Sequence, residues 1–318
     1  MTIFLSVLLI LGFSSAAHGR TIRVAIPGQA YVIASFAAKD QGYYEQENLN
    51  VELVQMPVGI GVQALLGGNV EFAAMGSALF SAILGGAPLR IIMSSFNRPL
   101  FFLYSKPELT GLPELKGKKV GVPALGTSGH SMLVELLRRQ GHAPEHDVAI
   151  LGFGDTETRL QALLSGVLDA AVLSPPASFV AEESGFRQLL SFISQDLVFP
   201  GGGIGVSEKL LRSEPALVER FTRATLKGHE YVRSVVPGTI PIISRRLRMK
   251  KTHAEKYYDL MRKALTSDGT MDAAAQKKAL DPAVRLRGAS GTPILQKIFD
   301  FSLLHKINAD LKAARWKP

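Results

Sequence analysis

The chain has 318 residues, of which 47% are hydrophobic and 20% charged, ordinary globular usage that excludes both a disordered chain and a multi-span membrane protein. Its length allows one large or two medium domains, each able to bury its own core. The formal net charge is +9 and there is no cysteine, which removes disulfides, zinc-thiolate sites, thiol nucleophiles and a lipid-modified N-terminal cysteine together.

In chain order, Ile3 to Phe13 is an almost unbroken apolar run, followed by Ser14-Ser15-Ala16-Ala17-His18-Gly19. It is too short to span a bilayer comfortably, and Ala17 and Gly19 supply the small side chains that a signal peptidase reads. Residues 1–19 therefore read as a signal peptide cleaved after Gly19, with an uncleaved anchor as the alternative because no Lys or Arg precedes the apolar run. A mature chain free in the periplasm, not lipid-anchored, is the expectation.

Two signals then occur twice in the same order. Arg23-Val24-Ala25-Ile26-Pro27 is echoed by Lys119-Val120-Gly121-Val122-Pro123, offset by 96 residues; each is a short apolar strand stopped by proline. Gln63-Ala64-Leu65-Leu66-Gly67-Gly68 with Glu71-Phe72-Ala73-Ala74 is echoed by Gln161-Ala162-Leu163-Leu164-Ser165-Gly166 with Asp169-Ala170-Ala171-Val172, offset by 98 residues. Each reads as a helix, a glycine-marked end and a buried strand. Between the signals lie helices predicted over Tyr31 to Gln41, closed by Gly42, and over Ser128 to Gln140, closed by Gly141.

Strand, helix, strand, helix, strand is a doubly wound α/β unit. The fold expected is two such lobes joined by a two-segment hinge, with a helical C-terminal segment. Lobe one takes residues 20–104 and 204–318, lobe two residues 105–203, and the hinge crossings fall near Leu103 to Pro107 and Val198 to Gly205. The basic run Arg245-Arg246-Leu247-Arg248-Met249-Lys250-Lys251 lacks interleaved aromatics and reads as a solvated helix face; no nucleic-acid partner is expected.

Lys39-Asp40-Gln41-Gly42-Tyr43-Tyr44-Glu45-Gln46-Glu47-Asn48-Leu49-Asn50-Val51, Leu115 to Val122, Gln161 to Val172, and Ser207-Glu208-Lys209 followed by Pro215 resemble the periplasmic solute-binding proteins of nitrate-, sulfonate- and taurine-type ABC importers. That family has the type II periplasmic-binding fold and is similar also to thiamine-pyrimidine-precursor binding proteins. The resemblance implies a monomer that captures a small-molecule solute and delivers it to a transmembrane ABC permease with its cytoplasmic ATPase. It implies no cofactor and no enzymatic activity. Rival readings on the same fold are an enzyme of thiamine-pyrimidine or menaquinone-pathway type, and an effector-sensing domain.

In open parallel sheets ligands sit beyond the carboxyl ends of the strands. The candidate ligand-binding residues are therefore Gln29, Tyr31, Ser77, Ser95 and Asn97 from lobe one, with Thr127, Ser128 and Ser174 from lobe two. Gly126-Thr127-Ser128-Gly129 opens a helix and could present donors to an acid oxygen, with Thr127 or Ser128 also capping that helix. Arg98 is the candidate counter-ion, whereas Asp155, Glu157 and Arg159 are assigned to the N-terminal turn and surface of their helix. His142 and His146 flank Pro144, so their spacing has no helical meaning and no metal site is expected. No catalytic residue is assigned, because no Gly-x-Ser-x-Gly elbow or local Ser, His and acid set appears. Together these features point to a small organic anion, sulfonate- or carboxylate-like, held between the lobes.

Overall fold

The computed structural model describes residues 20–27, 30–287 and 295–318; the expected signal peptide, Gly28 and Gln29 lie outside them. The first half of lobe one runs β1 (Thr21–Ile26), α1 (Ile33–Asp40), α2 (Tyr43–Gln46), β2 (Asn50–Gln55), α3 (Val58–Leu66), β3 (Phe72–Ala73), α4 (Gly76–Leu84) and β4 (Leu89–Phe96). Lobe two runs β5 (Phe102–Ser105), β6 (Lys119–Val122), α5 (Ser128–Arg139), α6 (Pro144–Asp147), β7 (Ala149–Gly152), α7 (Thr156–Leu164), β8 (Ala170–Leu173), α8 (Ala177–Glu183) and β9 (Arg187–Ser191). The chain returns through β10 (Gly201–Ser207), then α9 (Glu208–Ser213), α10 (Pro215–Ser234), α11 (Val236–Arg246), α12 (Lys251–Met261), α13 (Ala273–Arg287) and α14 (Ser302–Ala313).

Each lobe holds a five-stranded sheet, in the orders β2-β1-β3-β10-β4 and β7-β6-β8-β5-β9. The two orders are the same once the repeat is applied, with β6 to β9 standing for β1 to β4. In both sheets the first three strands are parallel, and the fourth position holds an antiparallel strand that has just crossed from the other lobe, β10 in one and β5 in the other. A strand entering from the hinge runs away from it, so the parallel strands it pairs with run toward the hinge. Their carboxyl ends therefore converge on the crevice between the lobes. The predicted helices α1 and α5 end at Gly42 and Gly141, with φ of 71° and 83°, the left-handed geometry that lets a helix stop.

The crossings lie earlier than expected. Phe102–Ser105 pairs with β8 and β9, so residues 102–104 belong to lobe two and the first crossing is residues 97–101. Gly201–Ser207 pairs with β3 and β4, which places the second crossing before Gly201. Local composition marks a glycine-rich segment as a linker, but partners distant in sequence decide that it is a strand.

Helices α9, α10, α11 and α14 cover lobe one, whereas α13 packs on α5 of lobe two. Phe221 of α10 stacks on Phe72 of β3 at 3.8 Å and on Tyr44 of α2 at 5.5 Å, each ring removing apolar surface worth roughly 1.5–3 kcal/mol on burial. The outer edge of β4 is closed by later chain: Ser94 N–H donates to Gly269 O, Thr266 N–H to Ser95 O, and Asp300 N–H to Ile91 O. Closing that edge removes a row of unpaired backbone groups.

Candidate functional site

The crevice is built from the loops that follow β1, β3 and β4 on one side and β6, β7 and β8 on the other. Tyr31 follows β1 but is buried beneath the hinge. Its ring meets Phe96 at 5.2 Å, Phe199 at 5.3 Å and Phe101 at 5.8 Å, and its hydroxyl accepts the Leu100 N–H at 2.5 Å. Burial raises its pKa well above the ordinary tyrosine range. Tyr31 thus braces both crossings, the packing role that a helix-start tyrosine can also take.

Hinge backbones run so close that side chains are excluded. A Cβ on Gly76 would lie 2.1 Å from Pro200 O, and one on Gly202 2.5 Å from Tyr31 O. Ser77 is half-buried in the first turn of α4. Ser95 is buried, its carbonyl taken by Thr266. Asn97 is knitted into the hinge by its backbone, donating to Ala264 O and accepting from Phe199 N–H. With exposed Arg98 and residues 194–198, Asn97 lines a hinge cavity of about 320 Å³. Arg98 donates from a terminal nitrogen to Ile193 O at 3.5 Å, just after β9.

In lobe two, Thr127 occupies the position before α5, but the expected cap is not made. Its hydroxyl donates back to Ala124 O at 2.7 Å, and no side chain caps the helix. A threonine hydroxyl serves one partner well, and here the tight turn after Pro123 takes it. Ser128 is the half-buried first residue of α5. Across the crevice Ser81 of α4 donates to Gly126 O at 3.1 Å, joining the lobes at a residue that sequence reasoning missed.

Ser174 closes β8 and is only 1% exposed. Its N–H donates to Thr156 Oγ1 at 3.2 Å, while its own hydroxyl has no partner among the described residues. Beside it lies Arg159, which corrects the surface assignment: it is 0% exposed. Its aliphatic stem lies over Gly121, Nε donates to Val172 O at 2.7 Å, and one terminal nitrogen donates to Gly154 O. The other terminal nitrogen has no partner among the described residues. Burial lowers the Arg159 pKa to about 10, opposed by the charges of Asp155 and Glu157, so it remains a cation at neutral pH. Asp155 caps α7 through the Thr158 N–H at 2.7 Å, as expected. The signal for Arg159 was present: Thr156, Arg159, Leu160 and Leu163 form the inward stripe of α7 at the spacing of a buried helix face.

The sheet-end crevice is a form seen in other proteins. The riboflavin-binding protein RibY of Chloroflexus aurantiacus is 28% identical over 203 residues, covering 61% of this chain and 56% of that protein; the chain thus matches little more than half of that relative's length. The alkanesulfonate-binding protein SsuA from Xanthomonas axonopodis pv. citri, solved with MOPS bound, superposes with a TM-score of 0.73 over 92% of this chain and 98% of its own, at 17% identity. The desulfurization enzyme DszB, solved with biphenyl-2-sulfinic acid, superposes with a TM-score of 0.66 over 91% and 99%, at 13% identity. These superpositions give the periplasmic-binding-protein fold, which binding proteins and an enzyme share. The profile of the family described as NMT1/THI5 like matches residues 29–234, well over half of the chain and ending with α10, and the chain therefore belongs to the NMT1/THI5-like family.

Proposed function

We propose that the protein is an extracytoplasmic solute-binding protein of an ABC importer, which captures a small organic anion in the inter-lobe crevice. The observation that carries this reading is the pair of like-ordered sheets whose parallel strands end at one crevice, joined by hinge crossings. A solute touching both lobes stabilises the closed arrangement by its differential affinity for that state. The closed shape would then be recognised by a transmembrane permease, with an ATPase behind it. The periplasm is the compartment that goes with this role, and among the described residues no helix is long and apolar enough to cross a membrane.

A second reading, riboflavin as the solute, is favoured by the identity to RibY. The test is a thermal-shift screen of purified protein against sulfonates, carboxylates, pyrimidines and riboflavin. A solute that binds only the folded state raises stability by about 2.7 kcal/mol at a hundredfold excess over its dissociation constant. A saturable shift with one acid, recovered unchanged, is the expected result. A shift with riboflavin alone selects the second reading, and conversion of the compound selects an enzyme.

A further inference from the structure

The corner of lobe two where α7 meets the end of β8 contains polar atoms that the fold leaves incomplete. Arg159, Ser174 and Ser178 are 0%, 1% and 1% exposed, and each has a side-chain nitrogen or oxygen without a partner among the described residues. They share one place. Arg159 Nε bonds the carbonyl of Val172, two residues before Ser174, and Ser174 N–H bonds Thr156, one helical turn before Arg159. The Ser178 N–H donates to Ser174 O at 3.2 Å.

The guanidinium makes no ion pair among the described residues, although surface arginines such as Arg20 and Arg246 do. A buried charge without an ionic partner is strongly unfavourable, and a donor shielded from water with no acceptor adds to that penalty. Two hydroxyls and a guanidinium nitrogen, all able to donate and none accepting from a neighbour, form a donor set suited to an oxyanion. The set lies at the carboxyl end of β8, and backbone carbonyls hold the rest of the guanidinium in place.

We propose that Arg159, Ser174 and Ser178 form the anion seat of the crevice, taking the sulfonate or carboxylate oxygens of the solute while its organic part lies toward lobe one. The assignment rests on the organic-anion reading above and deepens it: the counter-ion is buried Arg159 and not exposed Arg98. Because these donors lie out of water, the seat should hold an acid group in preference to a neutral isostere of the same shape.

The test is calorimetric titration of the full chain with ethanesulfonate and benzoate, and with ethanesulfonamide and benzamide as uncharged counterparts, for wild type and for Ser174→Ala, Ser178→Ala and Arg159→Gln. The expected result is binding of at least one acid and of neither amide. Ser174→Ala should weaken that binding roughly ten- to hundredfold, the range for a hydrogen bond to a charged group. Its thermal stability without ligand should not fall, since among the described residues the hydroxyl has no partner to lose. Arg159→Gln should abolish binding, and Ser174→Ala decides the matter if Arg159→Gln does not fold. Acid binding unchanged in Ser174→Ala and Ser178→Ala, or lost only in Arg98→Gln, overturns the seat and leaves the organic-anion reading standing. Equal binding of acids and amides overturns the seat while keeping a solute-binding protein. Binding of none of the probes overturns both the seat and the organic-anion reading.

Discussion

His229 of α10 is fully enclosed, with Nε2 donating to Thr266 O at 3.0 Å and Nδ1 without a partner among the described residues. Burial lowers its pKa to about 4, against the partial support of the Thr266 carbonyl. The native state therefore holds a neutral ring, while the unfolded chain protonates near pH 6.5. Between those values the unfolded state binds the extra proton, so stability is complete above pH 6.5 and falls as pH drops toward 4. At full extent the effect is on the order of 3 kcal/mol. His229→Gln, whose amide can still reach Thr266 O, should flatten that limb in urea titrations at pH 7 and pH 4.5; an equally steep loss in the variant would place the acid sensitivity elsewhere. At this scale the sequence was least legible. Which partner Thr127 chooses, whether Tyr31 faces solute or hinge, and whether Arg159 lies inside or outside depend on atoms brought from far along the chain. Only Arg159 carried a readable sign, its place in the stripe of Thr156, Leu160 and Leu163.

Elements were far more legible, because strand and helix signals are local and the repeat supplied each twice. The offsets of 96 and 98 residues anticipated two sheets of the same strand order. The errors fell at β5 and β10, the strands whose pairing partners lie in whichever lobe the chain has just entered. Packing between elements is a further matter that composition hides. Gly228 sits in the middle of α10, where glycine weakens a helix by about 1 kcal/mol relative to alanine. A Cβ there would lie 2.3 Å from Ala34 O and 2.7 Å from Ala38 N, both backbone atoms of α1. Backbone held in a helix cannot give way as a side chain can, so overpacking, typically 1–3 kcal/mol, should outweigh the gain in helix propensity. Gly228→Ala is expected to lower the urea midpoint, whereas Gly59→Ala, at a helical position with open space around it, should leave it unchanged or raise it. A rise in both variants would show that α1 and α10 can part without cost.

For the whole molecule, the basic C-terminal third meets acidic groups of lobe two. Lys250 and His253 pair with Glu183, and Lys256 pairs with Glu182 at 2.6 Å while lying 4.9 Å from the ring centroid of Phe179. Lys278 of α13 pairs with Asp196 near the second crossing. Because α12 packs on α11, and α11 on α1, these contacts tie the body of lobe one to α8 of lobe two, away from the crevice contact of Ser81 with Gly126. Exposed ion pairs are weak singly and fade with salt, and the screening length falls from about 8 Å at 0.15 M to about 3 Å at 1 M. Lobe separation should therefore grow with ionic strength in the ligand-free protein. The chain has no cysteine, so Asn69→Cys and Ser165→Cys would give one spin label on each lobe. The expected distance distribution broadens toward longer values at 1 M salt, and the same broadening appears at 0.15 M when Glu182→Gln and Glu183→Gln are combined. A distribution unmoved by either change would mean that packing at the Tyr31, Phe96, Phe101 and Phe199 cluster fixes the lobes without help from charge. Solute would then have to work against the hinge core itself, and its affinity would not depend on these pairs.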